Sequence, residues 1–278
     1  MRHLRTPVLI AALAAAAFGV AQTATAKSHP TRTYVVVYEQ GRSASQAHRA
    51  IAAAGGRLVK ENTAIGVATV RSSAPSFARD ATAQPALLGA AADRPIGHAP
   101  ADGRSHQFDI ERAGRDGRSV KGSSLGPVAA GEPLSGAQWD MRLIGATPDG
   151  SYRRQPGSKQ VRLGIIDTGV DASHPDIAPN FDFGLSRNFT TDDPSIDGAC
   201  ADEPDQSCSD PATADENGHG THVAGEAAAP VNGVGIAGVA PNVDIVNLRA
   251  GQDSGYFFLP ATLDALTSPA TTGSTWST

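Results

Sequence analysis

Two short stretches hold residues suited to proton transfer. Val161-Arg162-Leu163-Gly164-Ile165-Ile166 is a mostly apolar run of the kind that fills a parallel sheet, and it ends in Asp167-Thr168-Gly169-Val170-Asp171. A carboxylate thus stands at the carboxyl end of a strand, the edge at which open α/β sheets bind ligands. The alternative is an Asp that only forms a turn before Gly169. Farther on, Asn217-Gly218-His219-Gly220-Thr221-His222-Val223-Ala224-Gly225 sets His219 between glycines, ahead of an Ala-rich stretch to Ala229 that reads as a helix. Glycines permit close backbone approach, so a His in the first helical turn can lie against a strand-end carboxylate that holds one imidazole tautomer. Taken singly, each His also reads as a satisfied core or surface residue. His219 and His222 lie three apart on that helix and suggest zinc in a metal-dependent hydrolase, but the His-Glu-x-x-His pattern needs Glu where Gly220 stands. Gly233-Val234-Gly235-Ile236-Ala237-Gly238 matches a dinucleotide fingerprint, yet it follows a helix and leads into a strand, the reverse of the required context.

Together, Asp167 in Asp-Thr-Gly and His219 in His-Gly-Thr-His-Val-Ala-Gly resemble the subtilisin-like serine proteases, or subtilases. Asp before His in chain order is that family's arrangement of a Ser-His-Asp triad. The resemblance implies that His219 is the general base taking the nucleophile's proton, and that Asp167 orients it and stabilises the imidazolium. His222 matches a second family His with a packing role. Gly238-Val239-Ala240-Pro241, a strand over residues 243–248, and Asp253-Ser254-Gly255 continue the likeness. They imply that Ser254 and Gly255 pair their backbone with an extended peptide substrate. The expected fold class is α/β, an incomplete subtilisin-like parallel-sheet domain preceded by a small α+β ferredoxin-like propeptide domain.

The elements around this site can be read from the N-terminus inward. Arg2, His3 and Arg5 precede an apolar run over residues 8–21 and then Ala24-Thr25-Ala26, so residues 1–26 read as a secretory signal peptide. The run is shorter than the roughly 20 residues a bilayer span needs. The expected localisation is secreted, extracellular, with no membrane contact after signal cleavage. Secretion makes a disulfide between Cys200 and Cys208 the expected state, whereas in a reducing cytosol the pair reads as buried or metal-bound thiols. Closing so short a loop contributes about 2 to 3 kcal/mol. Residues 33–38 read as a strand and 45–54 as a helix with Ala47, Ala50, Ile51 and Ala54 on one face. Residues 57–60 and 65–71 read as two further strands. This unit, residues 27–80, resembles the subtilase propeptide, an intramolecular chaperone and inhibitor. Residues 81–135 read as linker, and 136–278 as the N-terminal half of a catalytic domain.

Composition narrows the partners. With 278 residues, 40% of them hydrophobic, the chain has enough apolar content to exclude disorder along its whole length. Its 23 basic and 28 acidic residues leave a net charge of −5, without the positive surplus that phosphate-backbone binding needs, so no nucleic acid is expected. The expected partners are a peptide or protein substrate and the chain's own propeptide. No organic cofactor is expected. Calcium is the metal the resemblance raises, because nine acidic residues and no basic one lie between Thr191 and Asn217. The same run also reads as a solvated loop stapled by Cys200 and Cys208.

The likeness covers the signal, the propeptide and the first part of a catalytic domain. No serine stands in the family's Gly-Thr-Ser-Met-Ala context, and the later oxyanion-donating Asn is absent too. This chain alone is therefore expected not to hydrolyse peptides at a useful rate. The alternative function is a non-catalytic secreted module whose propeptide domain binds or inhibits subtilases. Eight of the last twelve residues are Ser or Thr, an abrupt change from the helix-like residues 261–266. Read two bases on, with suitable synonymous codons, the segment gives Ala-Gly-Asp-His-Gly-Ile-Asp-Val-Val-Asn, a helix end and a buried strand. Residues 266–278 are thus expected to be out of frame.

Overall fold

The computed structural model describes residues 29–100, 131–203 and 205–269. The expected signal peptide and most of the expected out-of-frame tail, residues 270–278, lie outside the described residues. Among the described residues no helix is long and apolar enough to cross a membrane.

The amino-terminal unit runs β1 (Arg32–Tyr38), α1 (Ala44–Ala53), β2 (Arg57–Asn62), β3 (Val67–Ser72), α2 (Phe77–Thr82) and β4 (Leu87–Ala92). Its strands form one antiparallel sheet in the order β2-β3-β1-β4. Ser43 starts α1 with a capping box, its hydroxyl accepting from Gln46 N while the Gln46 side chain accepts from Ser43 N, which satisfies two orphan donors of the first turn. Alternation along the strands puts Tyr34, Val36, Ala68 and Val70 on the face that meets Ala47, Ile51 and Phe77.

The linker expected from residue 81 is corrected by this arrangement. The last turn of α2 and all of β4 lie inside it, and β4 pairs with β1 from Tyr34↔Ala92 to Tyr38↔Leu87. A unit ended at residue 80 would lack its outer strand and the buried Ala81 and Leu87. Six residues of helix are too few to display a 3.6-residue period, and the Ala- and Gly-rich β4 buries only Leu87 fully, so neither element carries a hydrophobic signal of its own. A further strand, β5 (Pro95–His98), leaves this unit altogether.

The second unit contains α3 (Trp139–Leu143), β6 (Arg162–Ile165), β7 (Arg187–Asn188), α4 (His219–Ala228), β8 (Asp244–Arg249), β9 (Tyr256–Phe258) and α5 (Leu259–Leu266). Its parallel sheet has the order β6-β8-β7. The connection from β6 to β8 passes through α4, as a parallel pair requires. Central β8 is covered on both faces. Ile245 joins Ile165, Val170, Ile177, Ala224 and Ala228 in one cluster, while Val246 and Leu248 pack with Ala261 and Ala265 in another.

The two units touch through α5 and through β5. Lys60 Nζ lies 2.6 Å from Asp264 Oδ2, and Asn62 Nδ2 donates to Asp264 Oδ1 at 2.8 Å and to Thr267 Oγ1 at 2.7 Å. Strand β5 pairs antiparallel with β9, Pro95 opposite Phe258 and His98 opposite Tyr256.

Candidate active site

Strand β6 delivers Asp167 two residues beyond its last member, and the first residue of α4 is His219. His219 Nδ1 lies 2.7 Å from Asp167 Oδ1. A carboxylate can only accept here, so Nδ1 carries the proton and the lone pair is left on Nε2. Asp167 Oδ1 also accepts from Thr168 N at 2.7 Å, and the Asp167 carbonyl accepts from the amides of Ala250 and Gly251 just beyond β8. The carboxylate is thus held by the neighbouring amide, and the residue's backbone is held by the end of the central strand.

Two glycines permit the approach. Gly218, before the helix, has φ +92°, a conformation that side chains disfavour. At Gly220 an added Cβ would strike the Gly169 carbonyl and come within 2.9 Å of Asp167 Cβ. The helix start can therefore lie flat on the Asp-Thr-Gly turn only with glycine there.

Asp215 anchors this helix start and had no separate signal in the sequence. Its carboxylate accepts from Gly218 N, Thr221 N, Thr221 Oγ1 and Thr168 Oγ1 at 2.6–3.0 Å. Those contacts satisfy orphan amides of the first turn and tie α4 to the Asp167 loop. Asn217 adds a second tie, donating from Nδ2 to the Asp253 carbonyl at 2.7 Å while its Oδ1 accepts from His219 N.

His222 stands apart from this pair. It lies 3.9 Å from Glu226 and lines a cavity of about 360 Å³ with Trp139, Ile177, Val234 and Ile236, a cavity that neither Asp167 nor His219 lines. Ser254 and Gly255 sit in the turn before β9. Gly255 O accepts from Ala99 N at 2.8 Å, so the chain's own residues 95–99 extend along this edge. Ser254 N is held instead by Asp197 Oδ1 at 2.9 Å. The His98 ring meets Tyr256 edge-on at 4.4 Å. Cys200 and Cys208 are joined in a disulfide.

Residues 158–267 match the subtilase family, a family of serine proteases. This segment belongs to it. Subtilase relatives include the intracellular serine protease of Paenibacillus polymyxa, 38% identical over 102 residues, which make up 36% of this chain and 26% of that protein. The major intracellular serine protease of Bacillus subtilis is 39% identical over 97 residues, 34% of this chain and 26% of that protein. The chain thus spans about a quarter of these subtilases. Among solved structures, the epidermin leader peptide processing serine protease of Staphylococcus aureus superposes with a TM-score of 0.55 at 21% identity, over 82% of this chain and 45% of that one. That likeness is one of fold alone, and it takes in part of the amino-terminal unit as well.

A second group of buried acids, without a signal of its own in the sequence, lies against the loop that mimics a dinucleotide fingerprint. Gly233 N donates to Glu132 Oε1 at 2.7 Å and Ile236 N to Asp176 Oδ2 at 2.8 Å. The other oxygens, Glu132 Oε2 and Asp176 Oδ1, are buried without a hydrogen bond. They are oxygen donors of the kind a hard cation takes. Burial pushes the Asp176 carboxyl up to about 8, with Glu132 adding to the rise. Between about pH 4 and pH 8 the folded state therefore holds a proton that the unfolded chain has released, and stability falls as pH rises. In EDTA, urea midpoints should drop over this range by on the order of a few kcal/mol, and Asp176→Asn should flatten the dependence. An equally steep profile in the variant would refute the assignment.

Proposed function

We propose that this chain carries the acid–base part of a secreted subtilisin-like serine endopeptidase, with His219 as general base and Asp167 as the group that orients it. The observation that carries this reading is the 2.7 Å contact from Nδ1 to Oδ1, with the carboxylate fixed by Thr168 N. Nε2 is then free to take a proton from a serine hydroxyl attacking a peptide carbonyl and to return it to the leaving amine. Asp167 stabilises the imidazolium between those steps. The nucleophile is assigned to a Gly-Thr-Ser segment that these 278 residues do not contain. Secretion is supported by the leader-like residues 1–26 and by the Cys200–Cys208 disulfide.

The test compares chromogenic-peptide hydrolysis by this chain with that by a polypeptide extended in frame through a Gly-Thr-Ser segment. Hydrolysis by the extended form alone, sensitive to a serine-directed sulfonyl fluoride, is expected. An extended form that folds but neither hydrolyses nor takes the label would overturn the reading.

A second reading is favoured by one observation. Residues 95–99 lie as an extended strand on the edge that would pair with substrate. The amino-terminal unit therefore acts as an occupant of that edge, in its own chain or in another subtilase. Purified residues 29–100 should inhibit an active subtilase in trans, whereas residues 29–92, lacking β5, should inhibit at least about tenfold more weakly. Equal potency of the two fragments would remove β5 from the account.

A further inference from the structure

His219 and Asp167 meet because two backbone segments lie in register, the Asp-Thr-Gly turn beyond β6 and the first turn of α4. Two threonine hydroxyls lace these segments together in opposite directions. Thr168 Oγ1, on the turn, accepts from Gly220 N of the helix at 3.0 Å, while Thr221 Oγ1, on the helix, accepts from Asp171 N beyond the turn at 2.9 Å. Each hydroxyl has one proton left to give. Both protons go to one carboxylate, Thr168 donating to Asp215 Oδ1 at 3.0 Å and Thr221 to Asp215 Oδ2 at 2.6 Å.

Asp215 therefore sets the direction of both hydroxyls, so that the lone pairs of each face an amide on the opposite segment. The same bonds reach the chain neighbours of both members of the pair. Gly218 N donates to Asp215 Oδ1 at 2.9 Å and Gly220 N to Thr168, one on either side of His219. Thr168 follows Asp167, and its amide is the donor at 2.7 Å that fixes the Asp167 carboxylate. The backbone allows this close approach because Gly169 has no side chain, and an added Cβ there would come within 2.9 Å of Asp215 Cα.

We propose that Asp215 is a positioning residue for the proton transfer, acting through the Thr168 and Thr221 hydroxyls to fix the distance between His219 Nδ1 and Asp167 Oδ1. The role rests on His219 and Asp167 being the acid–base pair. Thr168 is 0% exposed, so without the carboxylate its hydroxyl proton has no water to turn to. A buried donor left unpaired is costly, and the hydroxyl turns away from Gly220 N to find another acceptor. The helix start then loses its register on the turn. A shift of roughly half an ångström takes a bond of 2.7 Å out of the short range in which charge-assisted hydrogen bonds are strongest.

The experiment uses the full chain, isotopically labelled in its histidine rings, and proton NMR at neutral pH. The parent should show a downfield Nδ1 proton on the His219 ring, which Asp167→Ala removes. In Asp215→Ala this proton should exchange with water about tenfold faster or more. Thr221→Val, which keeps the side-chain shape and loses the hydroxyl, should act in the same direction, and Thr221→Ser should restore the parent rate. Thr221 is half-buried, so its variants keep the fold and decide the matter even if Asp215→Ala unfolds. Tyr152→Phe removes the 2.6 Å bond to the Gly238 carbonyl elsewhere in the same unit and should leave the proton unmoved, which separates positioning from loss of stability. A parent without the downfield proton would overturn the acid–base pair, and the role of Asp215 with it. A parent that shows it, with exchange unchanged in a folded Asp215→Ala or in Thr221→Val, or equally fast in Tyr152→Phe, would overturn the role of Asp215 alone.

Discussion

His219→Ala, made in the polypeptide extended through its nucleophile segment, will lower kcat on a chromogenic peptide by about a million-fold while leaving KM within a few-fold, as loss of the same group does in subtilisin. The imidazole has its Nδ1 committed to Asp167, which leaves Nε2 to accept the serine proton. Asp167→Asn should cost less, about ten-thousand-fold, because the ring remains but loses the acceptor that fixes its tautomer. The two residues act as a unit. The double variant should therefore be no slower than His219→Ala alone, a non-additivity that independent contributions would not produce. Steady-state kinetics on the three variants decides it, and single variants retaining activity within tenfold of the parent would end the proposed roles.

Arg249→Met will destabilise the chain by about 3 to 5 kcal/mol, a large part of any domain's stability. Arg249 is 0% exposed, and Asp192 and Asp210 are each 4% exposed. Burial works against the guanidinium's charge, but Asp210, Asp192 and Asp253 outweigh it and hold the group protonated. Methionine fills similar space and leaves the three carboxylates facing one another in a medium that water does not reach. Burial already pushes Asp192 up to about 7 with Arg249 present. Without the arginine the folded state will take up protons that the unfolded chain releases near pH 4, and its stability will fall as pH rises above that point. The deficit measured by urea denaturation should thus be larger at pH 8 than at pH 5. A variant within 1 kcal/mol of the parent at pH 8, roughly the scale of a surface substitution, would show that the network carries no such load.

Asp167 and His219 were legible in the sequence because their chemistry coincides with local punctuation. One ends an apolar strand, and the other stands between glycines at a helix start. Strand β8 and the Ala face of α1 were readable for the same reason, since burial imposes a period that survives in the sequence. Asp215, Glu132, Asp176 and Arg249 were not. Each meets its partners through tertiary contact, as Glu132 does with a loop a hundred residues away, and a polar residue satisfied at such range leaves no local pattern. The second helix and outer strand of the amino-terminal unit escaped for another reason, being too short and too rich in alanine for periodicity to rise above composition.

The meeting of β5 with β9 takes place within one polypeptide, and this fixes how the edge can be vacated. While residues 101–130 remain uncut, β5 confronts β9 at an effective concentration on the order of millimolar, whatever the amount of protein in solution. Dilution cannot clear the edge, and a free peptide must compete with a tethered one. After a cut, the same contacts become bimolecular, and occupancy then falls with dilution and with destruction of the released piece. Severing one covalent bond therefore changes the order of the binding reaction, from first order and independent of protein concentration to second order, without altering a single contact at the edge.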